Sequence, residues 1–557
     1  MRRFRSLLVA AAFLAAGAIA GAIAGEPTHG ELARADAFLR RWAELLSVLA
    51  QEAPLDAPAA DLTYAGLEGM LQLLDPHTNF LRPEAFASMR ERQQGSFHGI
   101  GVIISLRGGR ITVISPIAGT PAARLGLRAG DVIESVEGES TDGMDIDDVA
   151  RRLRGAEGTT VRITISRPGL PEPLELAIQR ARVPTDSVRN AFMLAGDVAY
   201  ISISDFTRTT GDETRRALAR LESEGARKLL LDLRNNPGGI VDSAVEVAGL
   251  VLEPGQQVFS TKGRTADSFQ DYRVARDGLH FKGPVVVLVN RGSASAAEIV
   301  AGAIQDHDRG LVVGEVTFGK GVVQTVYPVR DTGLALTTAK YYTPSGRCIQ
   351  RDFDSFFSYV RPGRPEGEEE PENGGEAPPA AAADQAPAAA PDQPVYFTDS
   401  GRKVFGGGGI VPDHHVRLAQ YSERLARLLG RSAFFHFAVE QLADEADKAA
   451  AAAAFAVTPE VVAAFRARVL AEKWLPEEEI DRALADPEER RDIEVAIRAE
   501  VLNAGVSLSE GFRAFTASDT QVQAALGLFD EAAKLAARAR IGGPTTQASL
   551  DRALTRR

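Results

Sequence analysis

The chain has 557 residues, 45% of them hydrophobic and 25% charged, with a formal net charge of −12 and a single cysteine. Such a composition belongs to a globular chain of several domains rather than to a disordered one. The negative balance argues against a general affinity for nucleic acid, which rests on clustered Lys and Arg, and one cysteine excludes an intramolecular disulfide.

The N-terminus, MRRFRSLLVAAAFLAAGAIAGAIAGEP, sets three arginines before an apolar run that starts at Leu7 and closes in two A-x-A patterns. This is the pattern of an export leader over residues 1–24. Left uncleaved, the run is near the lower length limit for a membrane span and would tether the chain to the inner membrane. Either outcome places the bulk of the chain in the periplasm or on the membrane facing it.

Residues 30–94 carry apolar positions at helical spacing (ELARADAFLRRWAELLSVL) ahead of LLDPHTNFLRPEAF, which predicts a small helical domain. Residues 95–182 change to short β-rich runs, IGVIISL, ITVISPI, DVIESVEG, VRITISR and LELAIQR, interrupted by GTPAARLGL and DIDDVARRLRG. Five strands and two short helices make a compact β-domain. Within residues 183–360 a buried strand, a turn and a helix recur three times: VAYISIS with ETRRALARLESE, KLLLDLRNNPGG with VDSAVEVAGLVL, and VVVLVNRGSAS with AAEIVAGAIQD. That alternation predicts a parallel or mixed α/β sheet whose site lies at the strand C-terminal ends. Residues 361–394 are acidic, Pro- and Ala-rich without an aromatic residue, and read as a disordered insertion. Structure is expected to return over 395–416 (VYFTDSGRKVFGGGGIVPDH), and 417–557 read as helical, with scaffold and partner-binding roles equally open.

The residues that could carry chemistry lie on the turns of the third region. Lys320, in GEVTFGKGVVQ, completes the first seven residues of a phosphate-cradling P-loop, or serves as an uncharged amine base. Gly321 stands where a P-loop needs Ser or Thr, and VVQTVYPV alternates as a strand where it needs a helix, which weighs against phosphate. In NRGSASAAEIV, Ser295-x-x-Glu298 reads as a capping box, and equally as a serine beside the open N–H groups and positive end of a helix, where an oxyanion is stabilised. Gly238 and Gly239 follow a buried strand in LDLRNNPGG and let backbone amides approach a ligand closely; the plainer reading is a Pro-Gly turn. Gln324, four residues after Lys320 on what reads as a strand, shares its face by the period of two, or is a polar edge residue. Cys348 reads as a small apolar strand-end residue rather than a nucleophile. The histidines show no metal-ligand spacing, and His307, His414 and His415 read as surface or turn residues, so neither metal nor cofactor is expected.

Taken jointly, GSASAAE, FGKG about 25 residues later, the Gln four residues further and LDLRNNPGG resemble the carboxyl-terminal processing (tail-specific) serine endopeptidases, peptidase family S41, over about residues 61–416. The resemblance implies a crotonase- or ClpP-like α/β protease core with a β-rich PDZ domain at 95–182; with the helical N- and C-terminal regions read from periodicity, the C-terminal one extending well beyond the matched part, this makes a multidomain α/β protein. It implies Ser295 as nucleophile, Lys320 as general base and Gln324 as the residue orienting that lysine, with an oxyanion hole made by the N–H of Ala296 and that of Gly239 or Gly238. It further implies a carboxylate-binding loop at Gly99, Ile100 and Gly101. A lysine can act as the base provided desolvation keeps its amine neutral at working pH. The activity implied is cleavage of proteins at or near their C-termini, on substrates with free, apolar tails, without a cofactor; the oligomeric state stays open. The chain departs from the family in placing about 50 residues between GRCIQ and GGGGIVPD, where members often have only a few. Two readings from other classes compete. A non-catalytic PDZ scaffold for protein tails has no use for Ser295, Lys320 and Gln324 together, and an acyl-CoA hydratase or isomerase on the related core fold fits neither the leader nor the PDZ-like region.

Overall fold

Strands buried on both faces read as unbroken runs of aliphatic residues and pair in parallel beneath helices. The three repeated units build such a sheet in the computed structural model, which describes residues 29–52, 58–275, 281–351 and 393–542. The leader and nearly all of the Ala/Pro insertion lie outside the described residues. The sheet comprises β1 (Val188–Ala195), β2 (Val198–Ile203), β3 (Lys228–Asp232), β4 (Val285–Val289), β5 (Leu311–Gly314) and β6 (His414–His415), in that spatial order. Only β1 runs antiparallel to its neighbour. Helices α1 (Thr210–Ser223), α2 (Val241–Gly249) and α3 (Ala296–Asp306) follow β2, β3 and β4, and every residue of α3 is buried.

The other face of the sheet is closed by chain that the sequence left without a role. Helices α4 (Thr520–Leu526) and α5 (Phe529–Gly542) contribute Val522, Ala525, Phe529, Ala532 and Leu535 to one core with Tyr200, Leu230, Val286, Leu288, Leu311 and Val313. Burying a Val, Leu or Phe side chain is worth about 1.5–3 kcal/mol, so these last helices are an integral layer of the sheet domain. Between them and β6, helices from Glu423–Gly430 to Leu508–Thr516 pack around Phe434, Phe437 and Phe465. Six helices of the C-terminal region open on Ser422, Asp447, Thr458, Asp486, Ser507 or Asp519, whose side chains accept from backbone N–H groups of the first turn.

The β-domain is a six-stranded antiparallel sheet: five strands in the order Val102–Arg107, Arg110–Pro116, Val132–Val136, Thr160–Ser166, Leu174–Gln179, with the two-residue strand Glu139–Ser140 paired to Val132–Val136. Its core is Ile111, Val113, Ile133, Val149, Val161, Ile163, Ile165 and Ile178. Two short strands that the sequence did not signal, Ser96–Gly99 and Ala181–Pro184, pair where the chain enters and leaves. The domain rests against the C-terminal helices: the Arg107 guanidinium donates to the Ser432 hydroxyl and lies 5.5 Å from the Phe435 ring centre.

The chain divides into two compact units. The second, which among the described residues takes 91–275, 281–321, 340–351 and 393–542, contains everything described so far. Of the described residues the first takes 29–52 and 58–90 together with 322–339, a segment the sequence places in the protease core. The reason is strand pairing: Gly333–Ala335 run antiparallel to Asn79–Leu81, and the ring of Phe86 sits where a Cβ on Gly333 would meet it at 2.7 Å. In the same unit Asp75 folds the DPHT turn by accepting from the backbone N–H groups of His77 and Thr78, at 2.7 and 2.9 Å, and from the Thr78 hydroxyl. Among the described residues no single helix is long and apolar enough to cross a membrane.

Candidate active site

The site is assembled at the C-terminal ends of β3 and β4. Ser295 is the residue before α3, and its backbone stands at φ 54°, ψ −115°, a region that costs a non-glycine residue about 1–3 kcal/mol and persists only where its surroundings enforce it. Those surroundings are visible. Its N–H donates to Glu298 Oε2 at 2.8 Å, which is the half of the capping box in which Glu reaches back. Tyr341 donates its hydroxyl to the Ser295 carbonyl at 3.3 Å. A Cβ on Gly238 would stand 2.7 Å from the Ser295 Cβ and 3.0 Å from the Ala296 nitrogen, so only glycine lets the β3 turn approach this closely.

Ser293, two residues earlier, has a different environment. Its hydroxyl accepts from Asn290 N–H at 3.0 Å and donates to the Leu233 carbonyl at 2.7 Å, and the residue is fully buried. It ties the β3 and β4 turns together and has no face open to a substrate.

Glu298 does more than cap a helix. Fully buried, it receives four donors: Ser295 N–H and Lys320 N–H on Oε2 at 2.8 and 2.9 Å, and Gly319 N–H at 2.8 Å with the Thr317 hydroxyl on Oε1. Because one carboxylate oxygen serves both Ser295 and Lys320, their backbone nitrogens are no further apart than those two bonds combined. Burial pushes the Glu298 carboxyl above its ordinary pKa, and the four donors oppose that rise. The sequence carried a signal for the Ser295 bond in the S-x-x-E spacing, and none for the bonds to Thr317, Gly319 and Lys320.

Lys320 is half-buried and lies in the loop between β5 and the strand Val322–Val329. It is not itself on a strand, so the period-of-two argument linking it to Gln324 does not apply. The strand that follows it is also what a P-loop cannot have. Its two glycines are required by close backbone approaches. A Cβ on Gly321 would lie 2.6 Å from the Gln350 nitrogen, and Gly319, at φ +87°, would meet the Gly409 nitrogen at 3.0 Å. Arg351 N–H donates to the Gly319 carbonyl, Gly409 N–H to the Ile349 carbonyl and Ile410 N–H to the Thr317 hydroxyl. The RCIQ and GGGGI segments, separated by the insertion in sequence, thus wrap the same lysine loop, and the insertion leaves that arrangement intact.

Gln324 belongs to the first unit, where its side-chain amide donates to the His77 carbonyl of the DPHT turn. Of the two glycines in LDLRNNPGG, Gly238 spends its N–H on the Asn236 side-chain oxygen at 2.8 Å. The N–H groups of Gly239 and Ala296 make no hydrogen bond among the described residues. In the β-domain, Gly99 ends the strand paired to Ala181. Ile100 is buried and its carbonyl accepts from Ala122 N–H at 2.9 Å. Gly101, at φ +80°, has its carbonyl held by Ile117 N–H and the Thr120 hydroxyl. Val102–Arg107 begins right after this loop and is an edge strand of its sheet.

The other sequence candidates sit elsewhere. His307 is a turn residue but not a surface one, its ring buried between Asp399 and the Gln257 carbonyl at 2.8 Å each. His414 and His415 form β6. Cys348 is free and half-buried. Among the described residues no group of three His, Cys, Asp or Glu could hold a metal ion.

Comparison with known proteins places this arrangement. Residues 197–354 match the profile of peptidase family S41 and residues 112–167 that of the PDZ domain, so the class is a serine-type peptidase with a PDZ domain. A carboxy-terminal-processing protease of Bartonella bacilliformis is 38% identical over 289 residues, covering 51% of this chain and 66% of the relative. A carboxyl-terminal-processing protease of Synechocystis sp. is 36% identical over 297 residues, covering 52% of this chain and 69% of the relative. Among solved structures, a photosystem II D1 C-terminal processing protease is 34% identical, with a TM-score of 0.32, over 56% of this chain and 84% of that one. The chain belongs to peptidase family S41, together with the carboxyl-terminal-processing proteases.

Proposed function

We propose that the chain is an exported endopeptidase that cleaves proteins at or near their C-termini, with Ser295 as nucleophile and Lys320 as general base. The observation that carries this reading is the shared Glu298 oxygen, which holds the backbones of Ser295 and Lys320 side by side. In the proposed reaction the neutral Lys320 amine takes the Ser295 hydroxyl proton as Oγ attacks the scissile carbonyl. The resulting oxyanion is received by the N–H groups of Gly239 and Ala296. Asn236 already occupies the N–H of Gly238, which favours Gly239 for this task. The Lys320 ammonium then protonates the leaving amine, and water resolves the acyl-enzyme by the same route in reverse. Gln324, carried by the strand that follows Lys320, has the role of orienting the lysine, as the family pattern implies.

Substrate tails are read, in this proposal, by the PDZ domain. The edge strand Val102–Arg107 offers its free side to an extended peptide, and the amides at Gly99, Ile100 and Gly101 take the terminal carboxylate. The leader sequence supports export to the periplasm, with or without retention at the membrane.

The test is proteolysis of unfolded model proteins by the purified chain, read by mass spectrometry. Lys320→Arg should be as inactive as Lys320→Ala, because a guanidinium does not give up its proton at working pH. Substantial cleavage by Lys320→Arg would overturn the base assignment. A peptide with a free apolar C-terminus should bind the full chain more tightly than its amide; equal affinities would remove the carboxylate loop while leaving the peptidase.

A further inference from the structure

We infer that Asp519 and Gln521, far beyond residue 354 where the family match ends, are positioning residues for the glycine turn at 234–239 and act on it through Arg234. The inference rests on the proposed serine-peptidase reading, in which that turn supplies an oxyanion donor.

Arg234 is the first residue of the turn after β3. Its side chain folds back over the strand: Nε and Nη2 donate to the Asp232 carboxylate at 2.6–3.0 Å, and Asp232 also accepts from the Tyr200 hydroxyl at 2.6 Å. The remaining arm of the guanidinium, Nη1, reaches the C-terminal region, donating to Asp519 Oδ2 at 2.7 Å and to Gln521 Oε1 at 2.9 Å. Only 10% of the Arg234 side chain is exposed, and Asp232 and Gln521 are buried. Burial alone would disfavour the charge, but the Asp232 and Asp519 carboxylates outweigh it and hold the guanidinium protonated.

The C-terminal end of this clamp is itself fixed. Asp519 uses its other oxygen, Oδ1, to accept from Gln521 and Val522 N–H and so start α4, whose Val522 and Ala525 lie in the core of the sheet face. Gln521 donates its amide to the Val416 carbonyl just after β6. The clamp therefore joins a rigid layer to the chain immediately before Asn235, which stands at φ +55°, a conformation a non-glycine residue keeps only under constraint. From the β4 side Asn290 Oδ1 accepts from the Asn235 N–H at 2.8 Å, and Asn236 Oδ1 next accepts from the Gly238 N–H. Arg234, the residue before Asn235, is the constraint from the C-terminal region. A donor whose direction must be right to a fraction of an ångström needs both sides held.

Asp519→Asn tests this selectively. Asparagine is as good a helix cap as aspartate, yet it turns the acceptor facing Arg234 into an amide donor. Val522→Ala is the control, since it thins the packing of the same helix and leaves the clamp. The full-length chain is assayed for kcat and KM on a peptide substrate, and for inhibition by a peptide boronic acid, whose tetrahedral serine adduct presents an oxygen to the oxyanion donors. Asp519→Asn should lower kcat and weaken the boronate by comparable factors of about ten, short of the loss of a whole donor, with KM within about two-fold. Val522→Ala should lower Tm with kcat per folded molecule unchanged. Asp519→Asn added to Arg234→Met should cost nothing further, because the effect passes through Arg234. Should Asp519→Asn fold poorly, Gln521→Met supplies the same comparison. Equal kcat and boronate affinity in wild type and folded Asp519→Asn, or losses that multiply with those of Arg234→Met, would overturn the inference. If Ser295→Ala keeps wild-type cleavage, the serine mechanism falls first and takes this inference with it.

Discussion

Two helix starts in the same domain obey the same local rule and end in opposite states. At α4 the Asp519 backbone is extended, at φ −68° and ψ 113°, and its side chain satisfies the first N–H groups of the helix. At α3 the equivalent position is Ser295 in a strained conformation, its own N–H tied to Glu298, and the Ala296 N–H has no partner among the described residues. The first start spends its cap on stability. The second keeps a strained residue and leaves an N–H open, which under the proposed peptidase reading is how a site pre-organised for charge development differs from a helix end that only needs closing.

The most forceful way to break this comparison is Ser295→Ala. As a nucleophile, Ser295 should cost at least about four orders of magnitude in kcat/KM when removed, with little change in Tm. If it is merely a cap, turnover survives and stability drops by about 0.5–2 kcal/mol. Activity and melting measured on one preparation separate the two. Glu298→Gln probes what holds the strained start in place. An amide nitrogen would then face backbone N–H donors inside a fully buried site, so we expect kcat to fall by about two orders of magnitude, the scale of a misplaced reacting group, together with a lower Tm. Unchanged kcat would show that the shared carboxylate does not set the geometry of Ser295 and Lys320.

The satisfied starts should behave oppositely. Thr458→Ala and Ser507→Ala, which remove caps accepting from Val461 and Glu510 N–H, should each lower stability by about 0.5–2 kcal/mol in urea unfolding and leave kcat/KM of the folded protein alone.

The smallest expected effect concerns the far end of α3. His307 sits at its C-cap, where burial lowers the imidazole pKa but the bond to Asp399 and its charge, with the Gln257 carbonyl and the Asp306 charge, together outweigh burial and raise it. A raised folded-state pKa means the stabilisation is complete below the unfolded value of about 6.5 and is lost as pH rises through the higher folded value. Tm should therefore decline over that window in wild type and decline less in His307→Gln. Equal pH profiles would sever the His307–Asp399 pair from stability.

Much of this architecture is written locally. The strand–turn–helix units at 198–306 follow from aliphatic runs buried on two faces alternating with helical periodicity, and the five strands of the PDZ domain from their period of two. Ser295, Lys320 and Gln324 stand out because, within thirty residues of chain, they fall on the pattern that the resemblance to family S41 carries. Tertiary structure alone decided the rest. That Asn236 occupies Gly238 N–H and not Gly239 N–H depends on a side-chain direction, and that Glu298 serves both Ser295 and Lys320 depends on a loop returning to a helix start. The hairpin at 322–339 joins the N-terminal helices because of pairing with residues 79–81, and α4 and α5 close the sheet because Val522 and Phe529 find Leu230 and Val286. Each of these is a contact between segments far apart in the chain, and no periodicity or propensity within one segment records which distant surface will cover it.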